Sequence, residues 1–217
     1  YRIIYFDRID SLLPQALALC EAEHNQKDLP QYRRGIIYGV DPWQVAPAIE
    51  GDIGEANAQW WLKDCPLHVI HEGAMKAIWD QNLEPWVIII RATAVHAAHL
   101  FVDNRIDILH FDQNHSEISS MRDIQIYYPL VKPGGYIWFD DTNWTTTNKA
   151  QQWLSEQGAE TIKEVSTEDE TQSCRIYRKP VPVPAMTARL EPALKFDKRT
   201  KEYRKHVEKT QEPVLQA

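Results

Sequence analysis

Apolar residues in this chain fall into short continuous runs separated by stretches in which they recur every three or four positions, the signature of strands alternating with helices. Ile3 to Phe6 reads as a short buried strand, and Ser11 to Glu23, with Leu12, Leu13, Ala16, Leu19 and Cys20, as an amphipathic helix. Gly35 to Val40 is a second strand. Residues 53 to 82 carry Trp60, Trp61, Leu67, Ile70, Met75, Ile78 and Trp79, which predicts two helices broken at Cys65-Pro66. Trp86 to Ile90 shows no alternation, as expected of a strand covered on both faces. Ala94 to Phe101 is a helix.

Ile106 to Phe111 and Tyr136 to Phe139 are two further strands. Between them Ile118, Met121, Ile124 and Tyr128 recur at helical spacing, and Lys132-Pro133-Gly134-Gly135 supplies a stop and a turn. Strand, helix, turn, strand predicts a right-handed parallel crossover. Thr145 to Gln157 reads as a helix stopped by Gly158, and Thr161 to Val165 with Ser173 to Tyr177 as an antiparallel pair around Glu168-Asp169-Glu170. The expected fold is therefore α/β: a mostly parallel, Rossmann-like sheet with helices on both faces and a C-terminal antiparallel hairpin.

Composition changes after Arg178. Lys179 to Pro184 reads as a stiff polyproline-like spacer, and residues 187 to 210 are charge-rich with only Leu190, Leu194, Tyr203 and Val207 as sparse apolar points. The expected organisation is a domain over 1–178 and an extension over 179–217. That extension either docks on a second subunit, giving a homo-oligomer, or stays a solvated tail.

A length of 217 residues, 43 % of them hydrophobic, suits one medium α/β domain plus an extension. The formal charge of −7 offers no general attraction for nucleic acid or an anionic membrane, so neither is expected as a partner. Cys20, Cys65 and Cys174 lie scattered without metal-ligand spacing, and their odd number argues against a disulfide framework. A reducing, cytoplasmic setting is the simplest expectation. The opening Tyr-Arg-Ile-Ile-Tyr-Phe-Asp is too short and too soon charged for a signal peptide.

Acidic residues stand where the strands end. Asp112 follows the strand ending at Phe111, Asp140 and Asp141 follow Phe139, and Asp41 follows Val40. In an open α/β sheet, ligands bind in the crevice beyond the carboxyl ends of the strands. Asp112, Asp140 and Asp141 suit a hard divalent cation such as Mg²⁺, which prefers carboxylate and water oxygens. The same side chains at the same places also suit capping of the helices that follow. His115, three residues beyond Asp112, is a candidate proton acceptor or metal neighbour, or else a helix-entry residue, whereas His110 inside the strand is read as packing. Asp41 can chelate a diol, or simply form the turn before Pro42. Trp43, Trp60, Trp61 and Trp144 are candidates for an apolar or sugar-stacking wall, although tryptophan is more commonly packed in a core.

The stretch from Arg105 through Asp112-Gln113-Asn114-His115-Ser116 to Trp144, together with Gly39-Val40-Asp41-Pro42-Trp43, resembles the class I S-adenosylmethionine-dependent methyltransferases, in particular the metal-dependent small-molecule and sugar O-methyltransferases. The resemblance covers roughly residues 35 to 178. It implies S-adenosylmethionine and Mg²⁺ as cofactors and a small hydroxylated acceptor. It further implies Asp41 on the cofactor ribose, with Gly39 and Pro42 beside it, Ala92 and Thr93 near the adenine, Asp112 also against the cofactor, Asp112 and His115 at the reacting hydroxyl, and Asp112, Asp140 and Asp141 on the metal. Arg91 departs from the small polar residue expected there. The first strand-to-helix turn departs further: Phe6-Asp7-Arg8-Ile9-Asp10-Ser11 holds no glycine, where such families have a Gly-rich loop. That departure keeps two alternatives open, an inactive methyltransferase-like binding or scaffold protein and another metal-dependent, hydroxylase-like enzyme on the same sheet.

Overall fold

The computed structural model describes residues 2–5, 9–169 and 171–182. Seven strands form one sheet: β1 (Arg2–Tyr5), β2 (Ile36–Val40), β3 (Val87–Ile90), β4 (Ile106–Phe111), β5 (Val131–Phe139), β6 (Glu160–Ser166) and β7 (Ser173–Arg178). Their spatial order is β3-β2-β1-β4-β5-β7-β6, with the first five parallel and β7 antiparallel to both of its neighbours. The chain runs outward through β2 and β3 on one side of β1 and through β4 and β5 on the other. The crevice between the ends of β1 and β4 is therefore the switch point of the sheet, where α/β folds bind ligands.

The helices are α1 (Ile9–Gln26), α2 (Val45–Ala48), α3 (Glu55–Lys63), α4 (Leu67–Asp80), α5 (Ala94–Ala98), α6 (Glu117–Tyr127) and α7 (Asn148–Glu156). Two cores cover the two faces. On one, Leu12, Ala16 and Leu19 of α1 meet Ile37, Ile78, Leu83 and Val87. On the other, Leu109, Phe111, Ile137 and Phe139 pack under Ile124 and Tyr127 of α6 and Ala150 and Leu154 of α7. Most of these side chains are under 5 % exposed, and burying each large apolar group contributes about 1.5–3 kcal/mol before the entropy of ordering is subtracted.

Several expectations change. The turn residues 132–135 lie inside β5, which begins at Val131: pairing to β4 passes from Ile106↔Val131 to Ile108↔Tyr136, so the extra residues form an irregular bulge. Gly134 takes φ 76°, and a Cβ on Gly135 would stand 2.9 Å from the Lys132 carbonyl and 3.0 Å from that of Asp107, which explains glycine at both positions. Strand β3 is an edge of the sheet, yet Val87 and Ile89 pack into one core and Ile90 against the other, so both of its faces are covered although Ile88 is 45 % exposed. On α6, Ile118 is 65 % exposed whereas Ser119, Ser120 and Asp123 are buried. Ser119 and Ser120 bond to Glu50 and Gln113 in neighbouring loops and Asp123 to Arg122 of the same helix, which periodicity cannot anticipate. Lys179, read as the first residue of the spacer, bonds through its backbone to Gly134 and Gly135 and through Nζ to the carbonyls of Tyr128 and Val131. It thus prolongs the pairing of β7 with β5.

Cys20, Cys65 and Cys174 form no disulfide with one another. Phe6 to Arg8, which stand in place of a glycine loop, and nearly all of the C-terminal extension lie outside the described residues.

Candidate functional site

Strand register explains which groups meet. Strands β4 and β5 pair His110 with Trp138 and Phe111 with Phe139, so the next residues, Asp112 and Asp140, emerge side by side; the Asp140 N–H donates to the Phe111 carbonyl at 3.0 Å. Side chains two apart on a strand share a face. His110 and Asp112 therefore point the same way, as do Trp138 and Asp140, and candidate ligand atoms of His110, Asp112 and Asp140 lie within 4.8 Å of one another. Asp141 falls on the opposite parity and has φ 48°, a left-handed turn that swings its carboxylate toward His115.

The grouping thus differs from the expected three aspartates. His110, read as packing, does stack on Trp138, with ring centroids 4.8 Å apart, and its Nδ1 lies 3.3 Å from Gln15 Nε2, but it also belongs to the potential cation-binding group. The signal in the sequence was His110-x-Asp112, a spacing of two on a strand.

His115 sits against Trp144, ring centroids 5.4 Å apart, with Nδ1 3.5 Å from Asp141 and Nε2 3.7 Å from Asp112. The second separation is too long for a hydrogen bond, and Nε2 is buried without a hydrogen-bond partner among the described residues. Burial lowers the pKa of His115 to about 4, so the imidazole is neutral at pH 7, with Nε2 open to a hydrogen-bond donor or a cation. Burial likewise raises Asp41 to about 6, and burial followed by the neighbouring Asp140 raises Asp141 to about 6. A buried imidazole nitrogen with no partner, on a ring that also faces Asp141, whose ionised form burial disfavours, suits an incoming cation or hydroxyl.

These groups line one open cavity of about 1190 Å³, beyond the roughly 300–1,000 Å³ of a typical single-ligand site. Asp41, Pro42, Thr93, Asp112, His115, Asp140 and Asp141 all line it; Gly39 and Ala92 do not. Gly39 is instead a packing position, since a Cβ there would stand 2.8 Å from Ile89 Cδ1 and 2.9 Å from Leu12 Cδ1. Trp60, Trp61 and Trp144 reach the cavity wall, whereas Trp43 is 8 % exposed and packs edge-on against His71 at 4.6 Å. Thr93 caps α5 by accepting from the His96 N–H.

Sequence reading did not single out the opposite wall. Helix α2 and residues up to Glu50 line the cavity together with Ser119, Arg122 and Asp123 of α6. Arg122 joins Glu50 and Asp123, each at 2.7 Å, and Ser119 donates to Glu50 at 3.2 Å. A one-turn helix of sequence Val-Ala-Pro-Ala is too short to show a period.

The comparisons agree with this architecture. The O-methyltransferase NovP superposes with a TM-score of 0.55 at 12 % identity, over 82 % of this chain and 71 % of that one. An S-adenosylmethionine-dependent O-methyltransferase from Thermotoga maritima gives 0.51 at 12 % identity, over 84 % and 60 %. TomG, an O-methyltransferase of Streptomyces achromogenes solved with S-adenosylmethionine, gives 0.50 at 10 % identity, over 82 % and 73 %. At such identities the likeness is one of fold. No curated protein sequence gives a significant match. The profile of a methyltransferase domain matches residues 15–142, more than half of the chain and the stretch that carries Asp41, Asp112, His115, Asp140 and Asp141, and the chain therefore belongs to that methyltransferase family.

Proposed function

We propose that this methyltransferase transfers a methyl group from S-adenosylmethionine to a hydroxyl of a small acceptor, assisted by a divalent cation. The observation that carries the reading is the convergence, in one cavity at the switch point, of Asp41 from the end of β2 with Asp112, Asp140 and His115 from the ends of β4 and β5. S-adenosylmethionine, when bound, supplies an activated methyl group. Asp41 would hold its ribose diol, and Thr93 borders the side of the cavity toward β3, where the adenine belongs.

Asp112 and Asp140, with His110 or Asp141 completing the set, would hold the cation, whose chemistry is to lower the pKa of the acceptor hydroxyl. His115, neutral and unbonded at Nε2, takes the hydroxyl proton as the oxygen attacks the methyl carbon. The carboxylates orient the acceptor, and Trp60, Trp61 and Trp144 offer flat apolar surfaces to a sugar ring or aromatic system. Among the described lining residues, Asp41, Glu50, Asp112, Asp123, Asp140 and Asp141 face a single guanidinium, Arg122. That balance favours neutral acceptors over phosphorylated or carboxylated ones.

The test is production of S-adenosylhomocysteine from S-adenosylmethionine with a panel of neutral glycosides and phenols, with and without Mg²⁺. Turnover that needs acceptor and metal supports the reading; metal-dependent turnover of an acceptor without S-adenosylmethionine supports the alternative of a different metal enzyme on this sheet, which the His110–Asp112–Asp140 grouping also suits.

A further inference from the structure

We infer that Asn114 is a positioning residue that latches residues 45–51 across the ligand crevice as a cavity wall. The segment leaves β2 at Val40 and is fastened to the β4–α6 loop, so it bridges two strand ends that flank β1 in the sheet. Its residues Ala46, Pro47, Ala48 and Glu50 line the cavity.

The fastening is built around one carboxamide. Asn114 Nδ2 donates to the carbonyls of Pro47 at 2.8 Å, Ala48 at 3.0 Å and Glu50 at 3.0 Å, while Oδ1 accepts from the Ser116 N–H at 2.8 Å. Two N–H groups serve three carbonyls, so one bond is shared. The orientation is fixed by the partners: turned over, the amide would set its oxygen against three carbonyl oxygens and its NH₂ against an N–H. Two further contacts secure the same segment. Glu50 accepts from Arg122 at 2.7 Å and Ser119 at 3.2 Å. Gly51, at φ 76°, lies so close to α6 that a Cβ there would stand 2.7 Å from Ser116 Oγ.

Only a side chain with donors can close this latch. An aspartate at 114 has the same shape and still accepts from Ser116, but it turns a carboxylate oxygen toward three carbonyls. Asn114→Asp therefore removes the latch while leaving the turn that presents His115. Because the segment walls the crevice, its release exposes the ligand to water and removes contacts on one side. The wall's part in binding S-adenosylmethionine rests on the function proposed above.

The experiment compares wild type, Asn114→Asp and, as a variant on an exposed side chain, Glu50→Ala. Amide hydrogen exchange reads the segment, calorimetry with S-adenosylmethionine reads the site, and the melting temperature reads the fold. In Asn114→Asp we expect amides of residues 45–51 to exchange at least about tenfold faster, and the Kd for S-adenosylmethionine to rise about tenfold or more, with the strands still protected. Glu50→Ala is expected to move both in the same direction by less. Unchanged exchange over 45–51 in Asn114→Asp would overturn the latch. Faster exchange with an unchanged Kd would overturn its role as a wall. Absence of S-adenosylmethionine binding by the wild type would instead overturn the proposed function, and the exchange arm would still decide the latch.

Discussion

His115 and Asp112 approach to 3.7 Å without bonding, and the histidine Nε2 between them is buried with no hydrogen-bond partner among the described residues. A buried polar atom left open costs about 1–3 kcal/mol, and such a cost is tolerated where a ligand completes the bond. With the His115 pKa lowered to about 4 by burial, the ring is neutral at physiological pH, and its place beside the acceptor site is what suits it to take a proton. His115→Ala is expected to lower kcat by about 10²–10⁴-fold with little change in S-adenosylmethionine affinity, the range for loss of a positioned general base. Steady-state kinetics beside calorimetry checks both halves. A variant with full kcat would make His115 a packing partner of Trp144.

The proposed metal chemistry should divide the three aspartates. Asp112→Asn and Asp140→Asn each replace a carboxylate in the cluster and are expected to abolish Mg²⁺-stimulated turnover in a folded protein. Asp141→Asn should retain part of the stimulation, because Asp141 turns toward His115. If a chelator leaves wild-type turnover intact, the carboxylates serve as helix caps and the metal proposal fails.

Asp41 couples stability to binding. Its pKa is raised from 3.8 to about 6 by burial, so in the folded protein the ionised form is penalised. The folded state holds the proton more tightly than the unfolded chain. Stability from this group is fully present below pH 3.8 and is lost as pH rises through about 6. Asp41→Asn keeps an acceptor for the Trp43 N–H and removes the charge. It should melt higher than wild type above pH 6, by about 1–3 kcal/mol in stability, and no higher near pH 4. Melting curves across that range decide it, and an unchanged difference at the two pH values would contradict the cause assigned to the shift.

Gly39 separates packing from binding. Gly39→Ala forces a methyl group toward Leu12 and Ile89 and is expected to cost about 1–3 kcal/mol of stability. Affinity for S-adenosylmethionine measured on the folded fraction should stay near wild type. A selective loss of affinity would return Gly39 to the cofactor site.

The strand ends were legible because buried parallel strands leave continuous apolar runs, and the residue after each run is fixed by where the run stops. Asp41, Asp112, Asp140 and Asp141 follow from that alone. Register was not legible. Whether Asp140 or Asp141 meets Asp112 depends on the pairing Phe111↔Phe139 and on the left-handed turn at Asp141, neither of which has a local signature. The nearness of His110 to Asp112 and Asp140 was hidden for the same reason, since it depends on the neighbouring strand that supplies Asp140. The wall over 45–51 was invisible because its bonds run between backbone carbonyls and Asn114, some sixty residues apart, and backbone carbonyls look alike in every sequence. In the Lys-Pro-Gly-Gly stretch the turn chemistry was read correctly but its place was not, because a bulge inside a strand uses the same residues as a turn between elements.

In the proposed function the crevice holds S-adenosylmethionine by the ribose, on Asp41. Titration calorimetry of the wild-type protein and of Asp41→Ala, both shown to be folded, tests it most directly. Saturable binding at one site is expected in the wild type, with a loss of about 1–3 kcal/mol in the variant, as for hydrogen bonds to a charged group. No heat of binding in the wild type, or equal affinities in the two proteins, would contradict it.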